Sequence, residues 1–243
     1  MGIISLSAML VAALIGIAIV AGIGENAVFI PGLLQGAWLT VQIAVVGCIL
    51  AVVMATIAAL LRLYGPAPLR WLAVTYVEFF RGTSALVQLF WLFYVLPDFG
   101  ISMEPFTVAV LGLGLNVGAY GAEVVRGAIQ GIQRGQWEAT TALNMTRWQA
   151  LRRIILPQAF VAMIPPWGNL FIELLKSTAL VSLITMTDLT FRAKTLNDYS
   201  FKTIPIFTLA LLMYLVLSLI VTIGMRRLEK VSMRGMVRGQ GRT

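Results

Sequence analysis

The chain has 243 residues, of which 59% are apolar and 12% are charged, and its mean hydropathy is +0.90. Soluble domains carry roughly 45–50% apolar and about 25% charged residues, so this composition excludes an ordinary globular protein and indicates an integral membrane protein. The net charge of +8 is more typical of cytoplasmic loops than of a nucleic-acid site. The lack of histidine excludes a Ser-His-Asp triad and most zinc sites, and the single Cys48 excludes an intrachain disulfide.

Hydrophobic segments along the chain are long enough for spanning helices, which need about 20 apolar residues each. They lie at about 3–23, 34–62, 69–96, 105–127, 158–186 and 204–226. The segments show no alternation of period two, so a helical bundle is predicted rather than a barrel. The predicted fold class is an all-α membrane protein, with five core transmembrane helices in residues 34–228 and an extra helix in residues 1–33. That first segment has no basic residue before it, which argues against a signal peptide.

The basic residues predict the orientation of the bundle. Thirteen of the 18 lysines and arginines lie in the turn at 62–70, the loop at 126–157 and the C-terminal tail. Because cytoplasmic loops carry the excess of cations, these connections are predicted to be cytoplasmic. We therefore expect residues 229–243 to form a basic cytoplasmic tail, and the loops at 97–104 and 187–203 to lie outside.

Charged residues within the predicted spans form a repeated pattern of a glutamate followed three residues later by a cation. The pairs are Glu78 with Arg81, Glu123 with Arg126, and Glu173 with Lys176. This spacing puts both side chains on one helix face, so each pair can neutralise itself within the membrane. A charge at a helix centre costs about 2.5–3.5 kcal/mol, so the alternative interpretation is a functional site.

The Glu173 and Lys176 pair favours function, because it follows Pro165 and Pro166, where a broken helix is predicted. A cation and an anion beside a broken helix can bind the two ends of a zwitterionic solute. The candidate residues of the substrate path are Glu173, Lys176, Glu78, Arg81 and Asn169. No histidine and no suitably spaced carboxylate pair is present, so we predict no catalytic residue, no metal site and no enzymatic activity.

The segment 128–157 is too polar for lipid and contains two short helical stretches. Asn144 suits a left-handed bend between them, Thr146 is a candidate N-cap of the second, and Pro157 stops that helix or opens the next. Leu151 and Ile155 share one helix face. The segment is either an amphipathic helix lying on the membrane or a docking element for a cytoplasmic partner.

The order Glu138-Ala139, then Asn144, then Ile154-Ile155-Leu156-Pro157 resembles the EAA loop of ABC importer permeases. That family pattern reads Glu-Ala-Ala, three residues, Gly, nine residues, Ile-x-Leu-Pro, so Thr140 replaces the second Ala and Asn144 replaces the Gly. Other motifs resemble the polar amino-acid (histidine–glutamine) subgroup of these type I permeases, although Ser84 replaces a usual proline. They are Glu78-Phe79-Phe80-Arg81-Gly82-Thr83, Ala122-Glu123-Val124-Val125-Arg126-Gly127 and Leu175-Lys176-Ser177-Thr178.

The resemblance implies a subunit of an ATP-driven importer in the bacterial inner membrane. Its expected partners are two ATP-binding cassette subunits, a second permease subunit that is identical or paralogous, an extracytoplasmic solute-binding protein and membrane lipid. The chain contains no Gly-Lys dipeptide and hence no phosphate-binding loop, so ATP and Mg²⁺ are expected on the ATPase and no cofactor on this chain. The residues expected to couple to the ATPase are Glu138, Ala139, Asn144, Leu151, Ile155 and Pro157.

In this interpretation, Glu138 would receive cationic or amide groups of the ATPase, and Leu151 with Ile155 would fill its cleft. The expected solutes are amino acids or related compounds, and the segment from Lys176 to Phe191 weakly favours a compatible solute such as ectoine. The alternative function is an ion-coupled secondary carrier that works without an ATPase.

Overall fold

The computed structural model describes residues 3–23 and 26–240, which are almost entirely helical. The helices are α1 (Ile3–Gly22), α2 (Ile30–Tyr64), α3 (Ala67–Gly82), α4 (Ala85–Phe90), α5 (Pro105–Gln130), α6 (Arg134–Ala142), α7 (Arg147–Ala150), α8 (Leu156–Ser177), α9 (Leu189–Ser200) and α10 (Thr203–Gln240). Within the described residues, α1, α2, α5, α8 and α10 are long and apolar enough to cross a membrane, and α3 with α4 forms a sixth span bent by 106°. The predicted all-α membrane fold is therefore confirmed.

The core of the bundle is the contact between α2 and α5, where small residues let the two backbones approach closely. A Cβ atom built at Gly114 would lie 3.1 Å from the carbonyl oxygen of Gly47, and one at Gly121 would lie 3.0 Å from the Cβ of Ala55. Small residues at regular spacing are the usual means of close helix packing in membranes. Because residue numbers rise together along both helices, α2 and α5 are parallel, and α3 with α4 must cross back between them.

The remaining spans reverse direction in turn. Gly121 of α5 faces Trp167 of α8, whereas Gly47, which lies beside Gly114, faces Leu174, so α8 is antiparallel to α5. Contacts between Gly168 and Met225 join α8 to α10. On the far side of α10, Gly16 of α1 faces Leu212. The ammonium group of Lys202 lies 5.9 Å from the centre of the Phe29 ring, which brings the connection after α1 to the start of α10.

This alternation puts the start of α1 and the end of α10 on the same side of the bundle as the α2–α3 turn and the segment 131–155. The helix α10 continues to Gln240, so the residues predicted as a separate tail from 229 onward begin as part of the last helix. Arg242, which was counted among the cytoplasmic cations, lies outside the described residues.

The predicted break at Pro165 and Pro166 is wrong, because α8 is continuous from Leu156 to Ser177. Transmembrane helices tolerate proline when neighbouring groups or local adjustments satisfy the freed carbonyls. Irregular backbone follows later, where residues 178–184 form 3-10 turns. A sharper interruption lies in a different span, between α3 and α4.

Candidate functional sites

The interruption between α3 and α4 lies level with the midpoint of the spanning helix α5. The amide of Asn116 donates a hydrogen bond of 2.9 Å to the carbonyl oxygen of Phe80, at the end of α3. Asn116 is near the midpoint of α5, about 16 Å from Pro105 and about 21 Å from Gln130 at 1.5 Å per residue. Irregular backbone at this depth is tolerated only where protein or a water-filled cavity covers it.

Two buried amides satisfy the backbone at this interruption. The amide nitrogen of Gln88 donates to the carbonyl oxygen of Phe80 at 3.1 Å and to the hydroxyl of Thr83 at 2.6 Å. The Asn116 amide in turn donates to Gln88 Oε1 at 3.2 Å, so the two side chains act together. The sequence signals for this role were a polar residue near the middle of α5 and Gln88 just after an Arg-Gly-Thr-Ser sequence.

Residues 81–84 at the interruption are exposed, and they carry a cation. The Arg81 guanidinium lies 5.5 Å from the centre of the Tyr120 ring and 3.9 Å from Glu123 Oε1, beyond hydrogen-bond reach. Glu123 is instead hydrogen-bonded by Arg62 of α2 and by Arg126, whose Nη2 lies 2.6 Å from Oε2. The structure thus brings Arg81 to a cluster that includes Arg62, which sequence spacing alone did not link to it.

A second polar surface lies on α8. Asn169, Glu173 and Lys176 are all exposed, and spacings of four and three residues put them on one face of the helix. A transmembrane face carrying two charges is not suited to lipid, so it faces protein or a water-filled cavity. Asn169 also lines a cavity of about 350 Å³ between α8 and α10.

Only one of the three predicted glutamate–cation pairs forms in the described part of the chain. Glu123 pairs with Arg126, but neither Glu78 with Arg81 nor Glu173 with Lys176 makes an ion pair. Self-neutralisation, one of the two interpretations of these pairs, therefore does not hold for Glu78 with Arg81 or for Glu173 with Lys176 in the described residues. Glu173 and Lys176 both remain available to a ligand, whereas Arg81 turns away from Glu78 toward Glu123.

The segment 131–155 folds as a compact element beyond the ends of α5 and α8, as its turn signals predicted. Asn144 has a φ of 52°, and the amide of Met145 donates to the Thr140 carbonyl at 3.0 Å, which ends α6 in a Schellman-type turn. Thr146 caps α7 through a capping box with Gln149. The substitution of Gly by Asn144 is explained, because asparagine tolerates the left-handed conformation.

Leu151 and Ile155 do not lie on the outer surface of this element. Their side chains are 6% and 0% exposed and belong to the main hydrophobic core, because the π-helical turn Leu151–Ile155 directs both inward. A partner subunit cannot contact side chains that are already buried in the single chain. The expectation that Leu151 and Ile155 fill a cleft of the partner is therefore wrong.

Other residues form the outer surface of the element. Glu138, Ala139, Asn144 and Pro157 are exposed, as a contact surface requires. Sequence reasoning missed Leu143 and Trp148, which are 72% and 64% exposed. The sequence signal for both was that they are large apolar residues that do not fall on the buried helix face. Beside them, a cavity of about 950 Å³ separates this element from the last turn of α2.

The chain is similar over most of its length to membrane subunits of transporters. Residues 47–231 match the family described as binding-protein-dependent transport system inner membrane component. A probable amino-acid ABC transporter permease of Sinorhizobium fredii is 43% identical over 80% of this chain and 84% of its own length. The glutamine transport system permease GlnP of Escherichia coli is 34% identical over 83% of this chain and 93% of its length.

Further relatives agree with this fold and family. The L-cystine transport system permease TcyB of Bacillus subtilis is 44% identical over 66% of this chain and 69% of its own length. A solved structure of an amino acid ABC transporter with histidines matches with a TM-score of 0.80 and 32% identity, covering 85% of this chain and 96% of that one. From the extent of these matches, the chain belongs to the family of binding-protein-dependent transport system inner membrane components.

Proposed function

We propose that this chain is the permease subunit of an ATP-driven, binding-protein-dependent importer of amino acids or amino-acid-like solutes. The observation that carries the proposal is the exposed polar stripe of α8, in which Glu173 and Lys176 lie on one face without pairing to each other. An unpaired anion and cation on one face suit the ammonium and carboxylate of an amino acid. The relatives named for a solute are a glutamine and an L-cystine permease, and neither name supports ectoine.

The proposal includes partners that supply energy and solute. Two ATPase subunits would bind ATP and Mg²⁺, a second permease subunit would complete the membrane channel, and an extracytoplasmic protein would deliver the solute. Membership of a binding-protein-dependent family supports this arrangement. The exposed charges of α8 support a second permease, because a helix face of this kind needs cover within the membrane.

The segment 131–155 is the proposed ATPase-coupling element, with Glu138, Ala139 and Leu143 at its surface. It lies on the same side as the α2–α3 turn and the end of α10. Residues 62–70, residues 126–157 and the C-terminal region together carry 13 of the 18 lysines and arginines, and we propose that this side is cytoplasmic. Trp148 and Leu143 would anchor the ATPase, since large exposed apolar side chains dominate the energy of such contacts. Leu151 and Ile155 would act indirectly, by fixing the element to the bundle.

Glu173→Gln tests the solute role, because the change keeps the shape of the side chain and removes one charge. Losing a hydrogen bond to a charged group, about 1.5–3 kcal/mol, should lower solute affinity roughly 10–150-fold. We expect amino-acid-stimulated ATPase activity of the assembled transporter to fall while its thermal stability is unchanged. The matched control is Asp98→Asn, an exposed carboxylate outside the long spans.

The opposite pattern would remove Glu173 from the path. If Glu173 only neutralises Lys176 in the assembled complex, the substitution should lower the free energy of unfolding by about 3–5 kcal/mol and lower the thermal midpoint with it. Normal stimulation at normal stability would also exclude Glu173. Uptake by this chain without any ATPase would contradict the importer itself and favour a secondary carrier.

A further inference from the structure

We propose that Arg62, Arg81, Glu123 and Arg126 form an inner site for the carboxylate of the solute, separate from the stripe of α8. We call these four residues the inner arginine cluster. The proposal rests on the proposed import of amino acids. It adds a second binding position on the cytoplasmic side of Glu173 and Lys176.

The charges in the cluster do not balance. Three guanidinium groups approach a single carboxylate: Arg62 bonds Oε1 of Glu123, Arg126 bonds Oε2, and Arg81 lies 3.9 Å from Oε1. Glu78, one turn earlier on α3, makes no ion pair among the described residues. The cluster therefore keeps an excess of two positive charges around Glu123, with Arg62 in the last turn of α2 and Arg126 one turn before the end of α5. One more carboxylate would lower this excess.

Arg81 is the arginine of the cluster that is most open to a ligand, since Arg62 and Arg126 both donate hydrogen bonds to Glu123. Arg126 donates hydrogen bonds to Glu123 and to Gln130, whose Oε1 lies 2.7 Å from Nη1 of Arg126. The Arg81 guanidinium makes no hydrogen bond in the described residues and is held by the Tyr120 ring, 5.5 Å away. Its side chain is 37% exposed, so a ligand can reach it. A planar guanidinium with free donors suits bidentate binding of a carboxylate.

Glu123 is a positioning residue in this scheme. It holds Arg62 of α2 and Arg126 of α5 in place and draws Arg81 of α3 toward them, so three helices converge on one carboxylate. Its two oxygens are already shared between Arg62 and Arg126. The incoming solute would meet Arg81 first, on the exposed side of the cluster, where Gly82 and Ser84 leave the backbone uncovered.

The cluster lies further toward the coupling element than the stripe of α8. Glu123 and Pro166 line the same cavity of about 380 Å³ between α5 and α8. Along α8, Glu173 and Lys176 are about 10 and 15 Å beyond Pro166 at 1.5 Å per residue. The single carboxylate of an amino acid therefore cannot contact Lys176 and Arg81 at the same time. The geometry therefore gives two successive positions, with small residues such as Gly127 and Ala162 around the inner cavity.

The electrostatic part can be tested without knowing the solute. The chain has one cysteine, so Cys48→Ala gives a background for a reporter thiol at Ser84→Cys or, as a second reporter, Gly82→Cys. A Cβ at Gly82 meets no atom within 4 Å, so the second substitution fits the fold. The reporter in the assembled transporter is then labelled with an anionic and a cationic methanethiosulfonate reagent, each rate being divided by its rate with a free thiol.

We expect the anionic reagent to react at least about tenfold faster, since focused fields in clefts raise encounter rates by about 10–10³. Arg81→Gln should reduce that ratio strongly. The matched control Arg70→Gln, an exposed arginine early on the same helix, should leave it unchanged. Gly22→Cys, which also has free space around it but lies at the far end of α1, should show a ratio near one.

Binding of the solute carboxylate is tested by labelling the reporter in the presence of a mixture of the common L-amino acids or a matching mixture of their amides. The acids should protect the reporter from labelling, and the amides should not. A labelling ratio near one, a ratio insensitive to Arg81→Gln, or equal protection by acids and amides would each overturn the inner site. A wild-type transporter whose ATPase responds to no amino acid would instead contradict the proposed function, so the two failures are distinct.

Discussion

The helical backbone is interrupted between α3 and α4 and again between α8 and α9, and in both places the freed backbone groups need hydrogen-bond partners. We call the first the open interruption and the second the closed interruption. In the first, Gln88 and Asn116 satisfy the freed backbone groups, yet the neighbouring residues 81–84 stay exposed. In the second, Asp188 is 0% exposed and both of its carboxylate oxygens accept hydrogen bonds, although Nε of Arg192, one turn further along α9, is buried without a hydrogen-bond partner among the described residues. An irregular backbone therefore indicates a ligand path only where it is also exposed and charged.

The closed interruption joins three helices. Asp188 accepts hydrogen bonds from the backbone amides of Thr190 and Phe191, at 3.1 and 3.0 Å, and so caps α9. The hydroxyl of Tyr214 on α10 donates to Asp188 at 3.2 Å, and Thr40 on α2 accepts from the amide of Leu189. Burial raises the pKa of the Asp188 carboxyl above its usual range, although these hydrogen bonds oppose that shift.

Asp188→Ala should have the largest effect, because it would break the closed interruption. Three hydrogen bonds to a charged acceptor, each worth about 1.5 kcal/mol, would be lost, so we expect about 4.5 kcal/mol of destabilisation. The measurement is the thermal midpoint of the purified subunit. Asp198→Ala, an exposed acid on the same helix, is the control. A loss no larger than that of the control would show that α9 does not depend on this cap.

The coupling element permits a sharper test of buried against exposed residues. Leu151→Ala should cost about 3 kcal/mol of stability, as expected for a large-to-small change in a core. Leu143→Ala, at a side chain that is 72% exposed, should leave stability unchanged and weaken ATPase binding instead. Thermal midpoints and co-purification of the ATPase separate the two. If both variants lose only stability, the proposed docking surface is wrong.

Close packing distinguishes the two interruptions as well. A Cβ at Gly36 would lie 2.7 Å from the backbone oxygen of Asp188 and 2.8 Å from the Cα of Leu189. Since backbone cannot move aside easily, Gly36→Ala should destabilise by about 2 kcal/mol, within the range for overpacked cores. Gly32→Ala is the control, because its Cβ would meet only a Leu196 methyl at 3.4 Å. Equal thermal midpoints for the two variants would contradict the tight closure.

At the open interruption, function should suffer more than stability. Asn116→Ala and Gln88→Ala remove amides that bond each other, so their effects of about 1–2 kcal/mol each should not add in the double variant. Amino-acid-stimulated ATPase activity should fall further than stability does, because residues 81–84 lose their fixed geometry. Additive losses of stability with normal stimulation would show that the interruption is only structural.

The features that could be predicted from the sequence are those that depend on neighbouring residues in the chain. Asn144 and Thr146 carry their turn and cap signals themselves, and both predictions are confirmed. The break was placed at Pro165 because proline is the strongest local signal, whereas the observed break depends on Asn116, which is distant in sequence. Likewise, helical spacing put Leu151 and Ile155 on one face but could not tell whether that face meets the bundle or a partner.

The smallest expected effect concerns the pH dependence of the closed interruption. The pKa of Asp188 is raised in the folded chain, so folding favours the protonated carboxyl. Its contribution to stability is therefore greatest below the pKa of an unfolded aspartate, about 3.9, and decreases as pH rises through the folded value. Asp188→Asn cannot titrate, so the thermal midpoint of the wild type relative to this variant should fall by a few degrees between about pH 4 and about pH 7. A difference that grows with pH would show that the hydrogen bonds from Thr190, Phe191 and Tyr214 outweigh burial and favour the carboxylate.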